Sequence, residues 1–247
     1  MESKKEKLCF FDFDDTLIEG DSILYWSAFY YKERPWMRIF QPFAWFGFLL
    51  RSLGLISGAS VKKWVYLPLC YEQSKNVDVL AKKFVDTVLI HYWYQELLTQ
   101  AWEHYRSGYE IAVISASCNF YLKYITSYLP PQPNGEPCKI VGTTMVFPQR
   151  GLWRLPTLPE GNMKGSRKVQ YIQHSVEWRN RIALYGYSDH HSDRYLLEYC
   201  QTGMVIHPSY KMKGIAIQKG WKILYPKKKH PGIMGKFRKL RLLLLGV

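Results

Sequence analysis

The sequence predicts an α/β domain in three layers, a parallel sheet with helices on both faces, interrupted by a helical insertion. Short apolar runs at 8–11 (Leu-Cys-Phe-Phe), 110–114 (Glu-Ile-Ala-Val-Ile), 181–185 and 203–206 read as buried strands, and stretches of helical patterning separate them. Three of these strands lead into Asp12, Ser115 and Asp189. Ligands of parallel sheets bind beyond the carboxyl ends of the strands, so these three residues are expected along one edge. Finally, residues 21–107 are far more than the dozen or so that a crossover needs, so they are expected to form a cap over that edge.

Each element has its own signal. Asp21 is a candidate N-cap for a helix holding Tyr25, Trp26, Phe29 and Tyr30. Residues 36–58 are mostly apolar, and helical patterns recur to about 106, ending near Gly108. A helix is expected from Phe120 to Tyr128. Residues 130–159 hold seven of the thirteen prolines and are expected to be mostly loop, with a hairpin from Lys139–Phe147 and Gly151–Leu155. Lys164–His174 looks helical, and Leu196–Cys200 closes a further helix. The expected organisation is a core of 1–20 plus 108–225, a cap of 21–107 and a tail of 226–247.

Composition narrows the function classes. Of the 247 residues 47% are hydrophobic and 22% charged, which excludes long disorder. The five cysteines are an odd number with no C-x-x-C pair, which argues against a disulfide framework or a structural zinc site. The N-terminus is too mixed in charge for a signal peptide, so a cytoplasmic location is expected. The net charge is +14, and its placement is one-sided: Glu198 is the last acidic residue and eleven Lys and Arg follow it. Such a tail points to an anionic surface, a membrane or a nucleic acid.

The apolar segment 36–58 contains Trp36, Phe40, Phe43, Trp45, Phe46, Phe48, Leu49 and Leu50, interrupted by Arg38, Gln41, Pro42 and Arg51. It lacks the roughly 18 uninterrupted apolar residues of a spanning helix. It is either cap core or a segment that lies in a membrane interface. The C-terminal Lys227-Lys-Lys-His230 and Lys236–Arg241 clusters, followed by Leu242–Leu245, suit anionic lipid. Two apolar-plus-basic segments favour a membrane over nucleic acid, and the expected location is peripheral, at the inner face of the cytoplasmic membrane.

The chemistry begins at Phe10-Phe11-Asp12-Phe13-Asp14-Asp15-Thr16-Leu17. Two carboxylates so close at a strand end repel each other, and a hard cation such as Mg²⁺ resolves the repulsion. A carboxylate can also attack phosphorus to give an acyl phosphate. An acidic loop alone would account for two acids, but their neighbours are specific. The pattern h-h-D-x-D-x-T-L resembles the first motif of the haloacid dehalogenase superfamily. The resemblance implies a Rossmann-like core with Asp12 as nucleophile and Asp14 as general acid and base, whose backbone carbonyl also reaches the metal. It also places Thr16 near the phosphate. Relatives have Gly or another small residue where this chain has Asp15, whose side chain is expected to point to solvent.

The later motifs follow in order. Ser115, at the end of Ile111-Ala-Val-Ile, matches the phosphoryl-binding Ser or Thr. Gly165-Ser-Arg-Lys168-Val supplies the lysine, with Lys164 as the alternative. Ser188-Asp189-His-His-Ser-Asp193 supplies an acidic pair, Asp189 as metal ligand and Asp193 as the residue that orients the loop and Lys168. His190 and His191 are adjacent, and adjacent side chains diverge, so a transition-metal site is disfavoured. Val205-Ile-His-Pro208 and Gly220-Trp221 resemble the phosphoserine-phosphatase-like branch, in which Asp21 sits near a substrate-binding Glu but is one methylene shorter. The layout also resembles the bacterial phosphatidylglycerophosphate phosphatase C group. The implied function is Mg²⁺-dependent hydrolysis of a phosphomonoester, either a phospholipid head group or a small soluble phosphometabolite; the third alternative is a non-catalytic membrane-bound scaffold.

Overall fold

The computed structural model describes residues 7–148 and 155–229. The strands are β1 (Lys7–Phe11), β2 (Glu110–Cys118), β3 (Lys139–Thr143), β4 (Ile182–Ser188), β5 (Thr202–Ile206) and β6 (Lys222–Leu224). They pair in parallel as one sheet in the order β3-β2-β1-β4-β5-β6. The helices are α1 (Ser22–Glu33), α2 (Gln41–Ser52), α3 (Gly58–Val65), α4 (Ser74–Thr87), α5 (Gln95–Arg106), α6 (Asn119–Leu122), α7 (Ser166–His174), α8 (Arg194–Tyr199) and α9 (Tyr210–Lys219).

The central strands are apolar on both faces because helices cover both. Along β1, Cys9 and Phe11 join the core shared with the cap, while Leu8 and Phe10 join a second core with Ile172, Trp178 and Leu196. The same alternation splits Ile111 and Val113 from Ala112 and Ile114 on β2, as the two-residue period of a strand requires. Phe11 stacks on Tyr187 of β4 with ring centroids 4.2 Å apart, and Phe10 meets Trp178 edge-on at 5.3 Å.

Helices α1 to α4 form the cap. Asp21 is the N-cap of α1, its carboxylate accepting from the Ile23 N–H at 3.0 Å. Trp26 is buried at the centre, ringed by Phe29, Tyr30, Tyr66, Phe84, Phe120 and Tyr121. Helix α5 packs on β2 instead, and the His104 ring nitrogen Nε2 lies 2.7 Å from the Tyr187 hydroxyl. The last helix of the insertion is therefore the crossover into the sheet.

The Pro-rich region differs from expectation. Lys139–Thr143 is a parallel edge strand beside β2, held partly by the Asn119 side chain, which accepts from the Gly142 N–H at 2.6 Å. Of the expected hairpin there is a single antiparallel bridge between Val146 and Thr157, and most of its second arm (151–154) lies outside the described residues. Strand β2 runs on past Ser115 to Cys118, and β6 adds an edge strand where no strand was expected. Phe120–Tyr128 is not one helix but α6 followed by a 3₁₀ turn, Ile125–Tyr128. At the far end, residues 226–229 lie back on the fold: the Lys229 N–H donates to Glu19 at 2.7 Å and the Lys227 N–H to Glu96 at 3.1 Å. The rest of the basic tail lies outside the described residues.

Truncating Trp26 would leave a large void where the cap helices meet. Trp26→Ala is expected to lower stability by about 3–5 kcal/mol, measured as the shift in the urea unfolding midpoint.

Candidate active site

A cavity of about 600 Å³ opens at the carboxyl edge of the sheet, between core and cap. It lies where the strand order reverses between β1 and β4, the switch point at which such sheets bind ligands. Asp12, Asp14, Asp21, Ser115, Lys168, Asp189 and Asp193 all line it.

Asp12 follows β1 directly, and its N–H donates to the Tyr187 carbonyl at 2.9 Å, fixing it against β4. The Lys168 ammonium, from the first turn of α7, lies 2.9 Å from Asp12 Oδ1 and 2.5 Å from Asp193 Oδ2. All three are buried. Burial works against the Lys168 charge, but Asp12 and Asp193 outweigh it and hold the ammonium above its ordinary value. Burial likewise opposes the Asp193 charge, but Lys168 and the Ser188 hydroxyl outweigh it, so this carboxyl stays below its usual range. At Asp12 burial prevails over Lys168 and pushes the carboxyl up to about 6, so it is ionised at neutral pH. Lys164 is exposed in the loop before α7 and also borders the cavity, but Lys168 is the lysine that reaches Asp12.

Asp14 points toward the cap. Its Oδ1 accepts from the Ser22 N–H at 2.9 Å, and its Oδ2 accepts from the Ser117 hydroxyl. Ser22 and Ser117 share a hydroxyl contact at 3.1 Å, and Tyr121 closes the group at 2.7 Å from Ser22. Burial, and then the charge of Asp21, push Asp14 up to about 8, so it holds a proton at neutral pH. Asp15 does not simply face solvent. It adopts a positive φ of 50°, a region that favours glycine, and its carboxylate accepts from the Gly20 N–H at 2.9 Å. Asp tolerates this backbone better than most residues, and its side chain closes the loop.

Thr16 is a correction. It is fully buried, does not line the cavity, and its hydroxyl has no hydrogen-bond partner among the described residues. The tight turn, with Leu17 and Ile18 N–H both donating to the Phe13 carbonyl, directs it into the wall instead. Ser115 lies within β2, not at its end, and its hydroxyl accepts from the Ser117 N–H at 3.1 Å.

Three further polar side chains join the hydrogen-bond network around the cavity. Ser117 lies two residues from Ser115, and its hydroxyl donates to Asp14. Ser188 is fully buried, and its hydroxyl donates to Asp193 at 2.9 Å and accepts from the His190 N–H at 3.3 Å. Lys62 reaches from α3 of the cap into the cavity, donating to the Ala116 carbonyl and to Asn162 at 2.6 Å. Burial lowers its affinity for the proton. No local motif marks it, since its role depends on how the cap sits on the sheet.

Asp189 follows β4 and shares the cavity with Asp12. Burial first, then the charges of Asp12, Asp15 and Asp193, push it up to about 8. That excess of buried negative charge fits a divalent cation held between Asp12 and Asp189. Among the described residues no three His, Cys, Asp or Glu side chains gather around one metal position. The donor set expected here needs only two carboxylates, with the Asp14 carbonyl as third protein ligand. His190 faces away from such a role: its Nδ1 accepts from the Ser192 N–H at 3.1 Å, and burial lowers the ring to about 4, so it is neutral.

A sequence model of haloacid dehalogenase-like hydrolases matches residues 9–198. The chain belongs to this family. No curated protein sequence matches it. Among solved structures, this haloacid dehalogenase-like hydrolase is similar to a protein of unknown function from Bordetella pertussis Tohama I, with 17% identity and a TM-score of 0.73 over 90% of this chain and 99% of that one. A HAD-family hydrolase from Salmonella enterica serovar Typhi gives 13% identity and 0.59 over 97% and 71%. A substrate-bound phosphoserine phosphatase gives 14% and 0.58 over 92% and 95%. At such identities the likeness is one of fold. The parallel sheet with helices on both faces is the Rossmann-like fold of the family.

Because Ser188 stabilises the charged form of Asp193, Ser188→Ala is expected to cost about 1.5–3 kcal/mol of stability at neutral pH. The urea unfolding curve measures it.

Proposed function

We propose that this hydrolase is a Mg²⁺-dependent phosphomonoesterase that works through a phosphorylated Asp12. One observation carries the proposal: Asp12, its ion-paired partner Lys168, Asp14 and Asp189 line one cavity at the carboxyl edge of the sheet.

Asp12 attacks phosphorus, and the bond from phosphorus to the ester oxygen breaks. Asp14 gives its proton to that oxygen, so the product leaves as an alcohol. Asp14, now ionised, takes a proton from water. The water oxygen attacks the aspartyl phosphate, phosphate leaves, and Asp12 returns as a carboxylate. Ser115 and Lys168 hold the phosphoryl oxygens, and Asp193 keeps Lys168 aimed at Asp12. Asp12, Asp189 and the Asp14 carbonyl would hold Mg²⁺, which supplies positive charge to the phosphoryl group.

Within this chemistry we favour a phospholipid head-group phosphate, such as that of phosphatidylglycerophosphate, as substrate. Support comes from the cavity wall, to which α2 contributes Phe48 and the exposed Arg51. An apolar and a cationic side chain at the mouth suit an amphiphilic phosphate better than a small polar one.

Asp12→Asn is expected to lower turnover of p-nitrophenyl phosphate by about 10⁴-fold or more; retained activity would overturn the mechanism. Chelation with EDTA should abolish turnover and added Mg²⁺ restore it, read in the same assay. A panel comparing phosphatidylglycerophosphate in micelles with soluble phosphomonoesters tests the substrate, and faster turnover of the soluble compounds would reverse the lipid assignment.

A further inference from the structure

The outer face of the cap is built against the usual pattern. Helix α2 buries Gln41, Ala44 and Gly47, leaves Phe43, Phe48 and Leu50 half-buried, and exposes Trp45, Phe46 and Leu49. The small residues let it lie close on α3: a Cβ added at Gly47 would sit 3.1 Å from the Trp64 side chain. Phe46 and Leu49 are 50% and 54% exposed, and the flanking turns add Trp36, Ile39, Leu53 and Leu55 at 63–72%. Large apolar side chains gathered on one surface mark a docking site.

The charges around this face identify its partner. From Arg34 to Tyr71 the chain has no acidic residue. Arg38 and Arg51 are exposed beside the apolar side chains and donate to backbone carbonyls, of Tyr31 at 3.5 Å and Ile56 at 3.4 Å. Apolar and aromatic side chains edged by cations match the boundary between acyl chains and anionic head groups. Twelve helical residues span about 18 Å, against a hydrocarbon core of about 30 Å. Among the described residues no helix is long and apolar enough to cross a membrane. The fit is therefore to a helix lying in the interface plane.

We propose that the outer face of α2 and its flanking turns dock on an anionic lipid surface and set the mouth of the cavity against it. Phe48 and Arg51 belong both to α2 and to the cavity wall, so docking brings lipid head groups to the site. The docking stands on the surface alone; its consequence for substrate delivery rests on the phosphatase proposal.

Flotation of the full chain with vesicles of phosphatidylcholine, with and without phosphatidylglycerol, tests it. Binding is expected with phosphatidylglycerol and at least about tenfold weaker without it. Ile39→Glu/Leu49→Glu changes two exposed side chains outside the cavity. It is expected to weaken vesicle binding about tenfold or more and to leave turnover of soluble p-nitrophenyl phosphate and the urea unfolding midpoint unchanged. No flotation of the native chain, or equal binding by the double variant, would overturn the proposal. So would a native dimer in light scattering that the double variant converts to monomer, since the face would then bind a second copy. Failure of the phosphatase proposal is separate: the native chain would float but turn over no phosphate ester.

Discussion

One buried ammonium organises the site. Lys168 stands between Asp12 and Asp193, each brought from a different strand end, and all three are shielded from water. Two carboxylates at such a place would repel each other and resist ionisation without it. With Lys168 present, the end of β1, the start of α7 and the turn after β4 are held together electrostatically. The Ser188 hydroxyl adds a further bond to Asp193, so the position of Asp12 is set through three links, from Ser188 to Asp193 to Lys168 to Asp12. Sheet order makes this possible, since β1 and β4 are neighbours although most of the chain lies between them.

The cap is tied to the same site from its own side. The first N–H of α1, at Ser22, donates to Asp14, and the Ser22 hydroxyl meets Ser117 and Tyr121 from the core. Lys62 of α3 reaches across the cavity to the Ala116 carbonyl and Asn162. Asp14 therefore takes one hydrogen bond from the cap, at Ser22, and one from the core, at Ser117, while Asp12 depends on the core alone for its ion pair. The two carboxyls differ for that reason: one rests beside a cation and stays ionised, the other rests among hydroxyls and beside Asp21 and keeps a proton. The proposed roles of Asp12 and Asp14, nucleophile and general acid, need that difference.

The apolar cap segment illustrates how burial alone misleads. Its large side chains would have served equally well inside the cap. In the fold Trp26 and its aromatic neighbours already fill that interior, and α2 lies close on α3 through Gly47, with Phe43 stacked on Trp64 and Phe46 edge-on to it. Trp45, Phe46 and Leu49 of α2 are left at the surface, while Phe48 and Arg51 of the same helix line the cavity.

The sequence by itself determined the parallel sheet, the insertion after β1 and the edge on which Asp12, Ser115 and Asp189 meet, because strand patterning and strand-end residues are local signals. It also marked Asp21 as a helix cap, for the same reason. Only the tertiary structure decided that Lys168 and not Lys164 reaches Asp12, that Thr16 is turned into the wall, that Lys139–Thr143 joins the sheet edge, and that α2 faces outward. Each of those outcomes depends on which surfaces meet across the chain. A residue's neighbours in sequence record its propensity for helix, strand or turn, whereas the partner that satisfies its charge or covers its apolar face is supplied by packing.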